Sequence, residues 1–461
     1  MNRLGARGLF FLSLALTVAV VAGLIALAHY RVGDPATITI EPGLPGIGKR
    51  TPITVTLTEP GRGLGAISVE LIQEDHSVQL AEETHVPRPF WASWGPRTTE
   101  RRLEIEVGSE LQDWLRDGSA TIRVVAERAP TWLHRPKPAV KTQQMPVRLR
   151  PPTIDVLSTK TYVAQGGSEV VVYRVSRPAV RDGVQAGEWW FPGYPLPGST
   201  SGERFALFAV PYDLDEELRV TLVAVDDVGN RAETGFIDLF FKKPLKTETI
   251  NVSDGFMAKV VPAILSSTPE IRSKGDLLAD FLLLNGELRR RNAETLIELA
   301  SSTTREFLWK EPFLQMPNTK VMSAFAVRRT YLHDGDAVDQ QDHLGFDLAS
   351  TSRAPIPAAN DGIVVLARYF GIYGNSIVLD HGYGLMSLYG HLSSLQVEPG
   401  QRVTRGLSLG TSGMTGMAGG DHLHFTMLVH GLPVTPVEWW DSHWIEDRLD
   451  GKLGATLPFG D

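Results

Sequence analysis

The spacing of hydrophobic residues changes along this chain, and each change predicts a different kind of element. Residues Leu9 to Ala28 (LFFLSLALTVAVVAGLIALA) form an uninterrupted apolar run. As a helix it spans roughly 30 Å, the thickness of a bilayer's hydrocarbon layer. From about Ala36 to Leu149 apolar and polar positions alternate, as in ATITI (Ala36 to Ile40), ITVTL (Ile53 to Leu57), LEIEV (Leu103 to Val107) and ATIRVV (Ala120 to Val125). Alternation turns one face of each strand to a core and the other to water. Turn pairs at Pro42-Gly43, Pro60-Gly61 and Asp117-Gly118 punctuate these runs, which predicts a β-sandwich module over 36–150. The Pro151-Pro152 pair marks its boundary.

A second β module follows over 151–247, its clearest strands SEVVVYRV (Ser168 to Val175) and RVTLVAV (Arg219 to Val225). Ala224, Asp226, Gly229 and Asn230 form an A-x-D-x-x-G-N pattern that resembles the last hairpin of bacterial immunoglobulin-like modules. Asp and Asn favour such a turn because their side chains bond nearby backbone. The module is expected to act as a spacer. Between 251 and 310 the period becomes helical: Leu277, Phe281, Leu284 and Leu288 recur on one face, and Leu296 and Leu299 follow. Two or three helices broken near Pro269 and Gly275 are expected, a connector whose Arg289 to Arg291 run reads as a solvated face. Over 315–442 short strands return, with GIVVLARY (Gly362 to Tyr369), NSIVLDHG (Asn375 to Gly382) and LMSLYGHL (Leu385 to Leu392) predicted as antiparallel neighbours. Residues 443–461 are left as a C-terminal tail.

Length and composition narrow the function classes. At 461 residues the chain exceeds one ordinary core, so several domains are expected, here mainly β. A net charge of -8 offers no basic face for nucleic acid. With no cysteine, neither a disulfide nor a thiolate metal site can form, and any metal must rest on histidines and carboxylates. Arg3 and Arg7 precede the apolar run, which by the positive-inside rule puts the N-terminus in the cytoplasm and the rest outside. A cleaved signal peptide ending at Ala26-Leu27-Ala28 is the competing reading; the length of the run favours a single-pass anchor in the cytoplasmic membrane, with the bulk periplasmic or otherwise extracytoplasmic.

Candidate chemistry gathers between His343 and Phe425. HLGFD (His343 to Asp347), SLYGHLS (Ser387 to Ser393) and DHLHF (Asp421 to Phe425) supply imidazoles and a carboxylate, the donors of a mononuclear zinc site. His343 and Asp347, four apart, are expected on one side of an extended strand, and His422 and His424, two apart, on one side of another. Gly410 to Gly420 lacks the Gly-Lys-Ser/Thr ending of a phosphate loop, and Ser412 sits in no G-x-S-x-G elbow. An acidic group around His333, Asp334, Asp336, Asp339 and Asp342 reads as a solvated loop; His381, His430 and His443 read as structural or surface residues.

In this order HLGFDLA, YGHLS, VTRGLSLGTSG and HLHF resemble the M23 peptidoglycan metalloendopeptidases of the lysostaphin and LytM type. The resemblance implies an antiparallel β-sheet peptidase domain and Zn2+ as cofactor, with His343, Asp347 and His424 as metal ligands. It leaves His391 and His422 beside the metal as catalytic residues that accept and return protons, their roles undivided. It implies peptidoglycan as substrate and partner. Two departures stand out: the long approach TGMAGGD before the histidines, and Ala326 after Phe325, where glycine is usual. The alternatives are a non-catalytic activator or scaffold for other wall hydrolases, whose ligands are usually lost, and a zinc protease acting on envelope proteins.

Overall fold

The computed structural model describes residues 6–458 apart from 93, 178 and 215; Arg3 and residues 459–461 lie outside them. The fold is mainly β, with one apolar helix at the N-terminus. That helix runs Ala6–Tyr30. Over Gly8–Tyr30 it is long and apolar enough to cross a membrane, and its most apolar window has no residue buried against protein.

The rest forms two compact units. The first, residues 1–152 with 177–180 and 225–231, holds two antiparallel sheets. One is built from Thr37–Pro42, Thr51–Thr58 and Glu100–Val107; the other from Ala66–Gln73, His76–Thr84, Gly118–Ala126 and Ala139–Val147. Alternate residues Ile53, Val55 and Leu57 from one sheet and Val69, Leu71, Ile122 and Val124 from the other meet in a single core. This is the sandwich that period-two spacing demands. The A-x-D-x-x-G-N turn is present: Asp226 Oδ1 accepts the N–H groups of Val228 and Asn230, and Gly229 takes φ +86°.

In the second unit one hydrophobic core runs from the second β module into the C-terminal sheet. Val170, Tyr173, Phe205 and Phe208 share it with Trp309, Phe346, Tyr389, Phe425 and Trp439. The C-terminal sheet has the central order 346–349, 423–429, 385–392, 375–382, 362–369, all antiparallel. Leu385–Leu392 is buried along its whole length, as befits a strand with sheet on both sides. The connector is helical over Asp254–Ser267, and then Leu277–Leu283 continues through a π turn at Leu284–Leu288 into Arg289–Ser301. The break falls at 268–276, around Pro269 and Gly275. Residues 442–456 form short helical turns, burying Ile445, Leu449 and Leu453, with Leu457 buried just beyond, at every fourth position.

Two buried polar contacts tie this unit together. Lys452 Nζ lies 2.9 Å from the carboxylate of Glu169, which is fully buried. The Glu438 carboxylate accepts the Ser168 N–H at 2.7 Å and packs against Gly167; burial pushes its pKa up to about 7, against the pull of the Ser168 hydrogen bond. A carboxyl whose folded pKa is raised binds its proton more tightly in the native state, so its contribution is full below about pH 4.5 and is lost as pH rises through about 7. Glu438→Gln stays neutral and keeps an acceptor oxygen. It is expected to flatten that slope and to be about 3 kcal/mol more stable than wild type above pH 7, measured by urea unfolding at pH 5 and pH 8.5; an unchanged slope refutes this.

Candidate metal centre and groove

His343 closes the Asp336–His343 strand, whereas Asp347 lies in Phe346–Ala349, a strand of a different sheet. On one extended strand the two residues would stand about 13 Å apart. Instead His343 Nε2 is 3.0 Å from Asp347 Oδ1. The common-strand expectation for this pair is corrected: the chain bends at Gly345 as it passes from one sheet to the other. Glycine is required there, since a Cβ on residue 345 would stand 2.5 Å from both His424 Nε2 and Thr426 Oγ1. The Leu423–Val429 strand runs antiparallel beside Phe346–Ala349, in a register that sets His424 opposite Asp347. His424 Nδ1 is 3.0 Å from Asp347 Oδ1 and 3.2 Å from His343 Nε2.

Partners on the far side of each ring fix the tautomers. His343 Nδ1–H donates to the Ala324 carbonyl at 2.9 Å. Thr426 Oγ1 donates to the Leu344 carbonyl and accepts His424 Nε2–H at 3.0 Å. With both rings neutral, each imidazole aims a lone pair at the carboxylate oxygen. Three buried acceptors facing one another are mutually repulsive unless a cation lies among them, so the donor set fits a divalent metal that takes nitrogen and oxygen. Among the described residues this is the only group of three such ligands within reach of one ion. The upstream acidic group does not converge: Asp342 pairs with Arg328 and Tyr212, and Asp339 binds Asn285. His381 is buried and bonded to Asp361 and Ser387, His430 is buried in part, and His443 is exposed.

His391 and His422 stand beside this group. Their rings lie 4.8 Å apart, and His391 is 5.8 Å from His424. His391 Nδ1–H donates to the Thr415 carbonyl and His422 Nδ1–H to the Gly420 carbonyl, both at 2.8 Å, leaving each Nε2 for the site. His422 Nε2 is 3.5 Å from Asp347 Oδ1. His391 holds φ +67°, a conformation that non-glycine residues seldom adopt and that a functional position tolerates. Burial and the neighbouring imidazoles keep its pKa well below the usual histidine value. Burial also holds His424 at about 4, against the pull of Asp347.

The spacing of histidines could not show the groove around them, a cavity of about 340 Å³. Arg329 holds the other oxygen of Asp347, Oδ2, at 2.8 Å and so orients the carboxylate from behind. Tyr373 leans on His424 at 5.3 Å between ring centroids. Met417 and Gly419 of the TGMAGGD approach form part of the wall, and Met417 N–H donates to the Ile372 carbonyl. The connector also lines the groove, through Phe256, Phe281 and Arg289. Ala326, the other departure, has φ +59°, which explains why glycine suits the position, and its N–H donates to the His343 carbonyl.

Residues 341–436 match Peptidase family M23. Over 96 residues the chain is 41% identical to the peptidoglycan DD-endopeptidase ShyA of Vibrio cholerae, which covers 21% of this chain and 22% of that protein. It is 37% identical over 95 residues to the DD-carboxypeptidase/endopeptidase Mpg of Neisseria meningitidis, again 21% and 22% of the two chains. Among solved structures, the catalytic domain of the antimicrobial peptidase lysostaphin from Staphylococcus simulans is 22% identical, with 31% of this chain and 96% of that one aligned at a TM-score of 0.21. The match thus spans about a fifth of the curated relatives' length, and the family match, residues 341–436, falls over the histidine cluster.

Proposed function

We propose that this chain is a zinc metalloendopeptidase that hydrolyses peptide bonds in peptidoglycan. The observation that carries the reading is the intact, buried His343, Asp347 and His424 set, with two further imidazoles presenting Nε2 beside it. The names of the relatives supply the substrate class. When bound, zinc supplies Lewis acidity and makes water nucleophilic near neutral pH. His343 and His424 would hold it through the lone pairs fixed by Ala324 and Thr426, and Asp347 through the carboxylate that Arg329 orients. His391 and His422 share the proton work: one accepts the proton of the attacking water, and either can hydrogen-bond the developing oxyanion or return a proton to the leaving amine. The groove accepts an extended peptide along an apolar and aromatic wall. In this reading the N-terminal helix anchors the protein in the cytoplasmic membrane with the groove on the outer side, where peptidoglycan lies.

The test uses purified full-length protein, metal analysis and digestion of sacculi. His391→Ala is expected to retain about one zinc per chain and to release soluble fragments about 10²- to 10⁴-fold more slowly than wild type. Digestion at full rate by this variant removes His391 from the chemistry. A wild-type protein that neither holds zinc nor releases fragments overturns the reading as a whole.

A further inference from the structure

Arg289 is the groove residue whose chemistry the hydrolytic site leaves unused. The other arginine lining the groove, Arg329, is occupied by Asp347 and lies near Glu248. Arg289 forms no ion pair among the described residues. Its guanidinium is nevertheless held firmly: Nε donates to the Asn285 carbonyl at 3.1 Å and Nη2 to Asn285 Oδ1 at 2.7 Å. Asn285 is fully buried and is fixed in turn by a 2.7 Å bond from its Nδ2 to Asp339 Oδ2. Two of the five N–H donors of Arg289 are thus committed to one edge, and three remain.

The placement of those donors is set by the same helix. Three residues on, Asn292 accepts the Ile372 N–H at 3.1 Å, docking the helix on the 371–373 turn. That turn carries Tyr373, whose ring contacts His424. Burial raises the pKa of the Tyr373 phenol, and the nearby positive charge of Arg289 works the other way. Arg289, Tyr373 and the metal-ligand group therefore line one groove. A half-buried, anchored guanidinium with spare donors in a planar fork is suited to a carboxylate.

We propose that Arg289 is a specificity-determining residue of the groove, which binds a free carboxylate on the peptide close to the scissile amide. The peptide nature of the ligand rests on the peptidase reading above. The carboxylate has two sources: the C-terminus of a short leaving group, or the free carboxyl of a branched diamino acid that donates its amine to a cross-link. The shared chemistry is a planar anion within a few ångströms of the amide.

The experiment measures binding, so that it stands apart from turnover. Full-length wild type, Arg289→Gln and Arg289→Lys are titrated with peptides whose scissile amide is replaced by a reduced, non-hydrolysable bond. One set carries the carboxylate at the C-terminus and one on a branched diamino acid, each as free acid and as amide. Wild type is expected to bind the acid about tenfold or more tightly than its amide in one set, which identifies the source. Arg289→Gln should bind acid and amide alike, with its affinity for the amide within about twofold of wild type, and Arg289→Lys should restore part of the preference. Equal affinity of wild type for acid and amide in both sets overturns the proposal. So does an Arg289→Gln protein that loses both ligands equally, which is the mark of a structural role. Selective binding that survives while cleavable peptides and sacculi stay intact would sink the peptidase reading and leave the carboxylate site standing.

Discussion

His424→Ala is expected to abolish both stoichiometric zinc and hydrolysis. Removing this imidazole leaves two ligands, and its neighbours cannot replace it. Asp347 Oδ2 is engaged by Arg329, and His391 and His422 are each pinned through Nδ1 to a backbone carbonyl. Three protein ligands are what a catalytic zinc site uses, so occupancy should fall from about one zinc per chain to below about 0.1 under conditions that saturate wild type. Release of fragments from sacculi should fall by at least about 10³-fold. The fold should survive, because Leu423 and Phe425 keep their places in the core on either side. Metal analysis and digestion on the same preparation, with circular dichroism as the control, decide the matter. A variant that binds zinc normally and digests sacculi at the wild-type rate would remove His424 from the ligand set.

Trp439→Ala should produce the largest loss of stability. The indole is fully buried, at 5.5 Å from Phe313, 5.8 Å from Trp309 and 5.3 Å from Trp444 between ring centroids, and its Nε1–H donates to Ser168 Oγ at 3.0 Å. Truncation opens a cavity at the junction of the second β module and the C-terminal sheet, and removes that donor. The expected cost is about 3–5 kcal/mol, read from the shift in the urea midpoint of the transition that reports this unit. Trp439→Phe fills most of the space and should lose less than half as much. A midpoint within experimental error of wild type for Trp439→Ala would show that this junction bears little of the stability.

How much of this was legible depended on whether the signal was periodic or spatial. The apolar N-terminal run, the alternating strands of the first sandwich and the three neighbouring strands Gly362–Tyr369, Asn375–Gly382 and Leu385–Leu392 follow from spacing alone, because each buries a face at a fixed interval. The residues of the histidine cluster were legible as motifs. Their assembly was not: a pleat cannot bring His343 to Asp347, and it takes the Gly345 bend to do so. The arginine run was half legible. Arg290 and Arg291 are exposed and paired with Glu287, as an amphipathic face predicts, but Arg289 turns into the groove, and nothing in the i, i+1, i+2 sequence of three like charges distinguishes it. The buried Glu169 and Lys452 are 283 positions apart in numbering, and no local pattern could have paired them. The four-residue recurrence of Ile445, Leu449, Leu453 and Leu457 was a readable signal that residues 445–457 pack against the unit.

The core shared between the second β module and the C-terminal sheet bears on how this protein can be handled and recombined. Cutting at the limits of the family match, residues 341–436, would separate Phe346 and Phe425 from Trp440, which meets the first edge-on and stacks on the second, and would strip Trp309 and Phe205 from the same apolar surface. The resulting fragment would carry the metal ligands on a scaffold with an uncovered greasy flank. Module swapping between relatives is therefore constrained here by packing: a transferable piece has to keep the second β module's share of this core together with the C-terminal sheet, through the last buried leucine, Leu457.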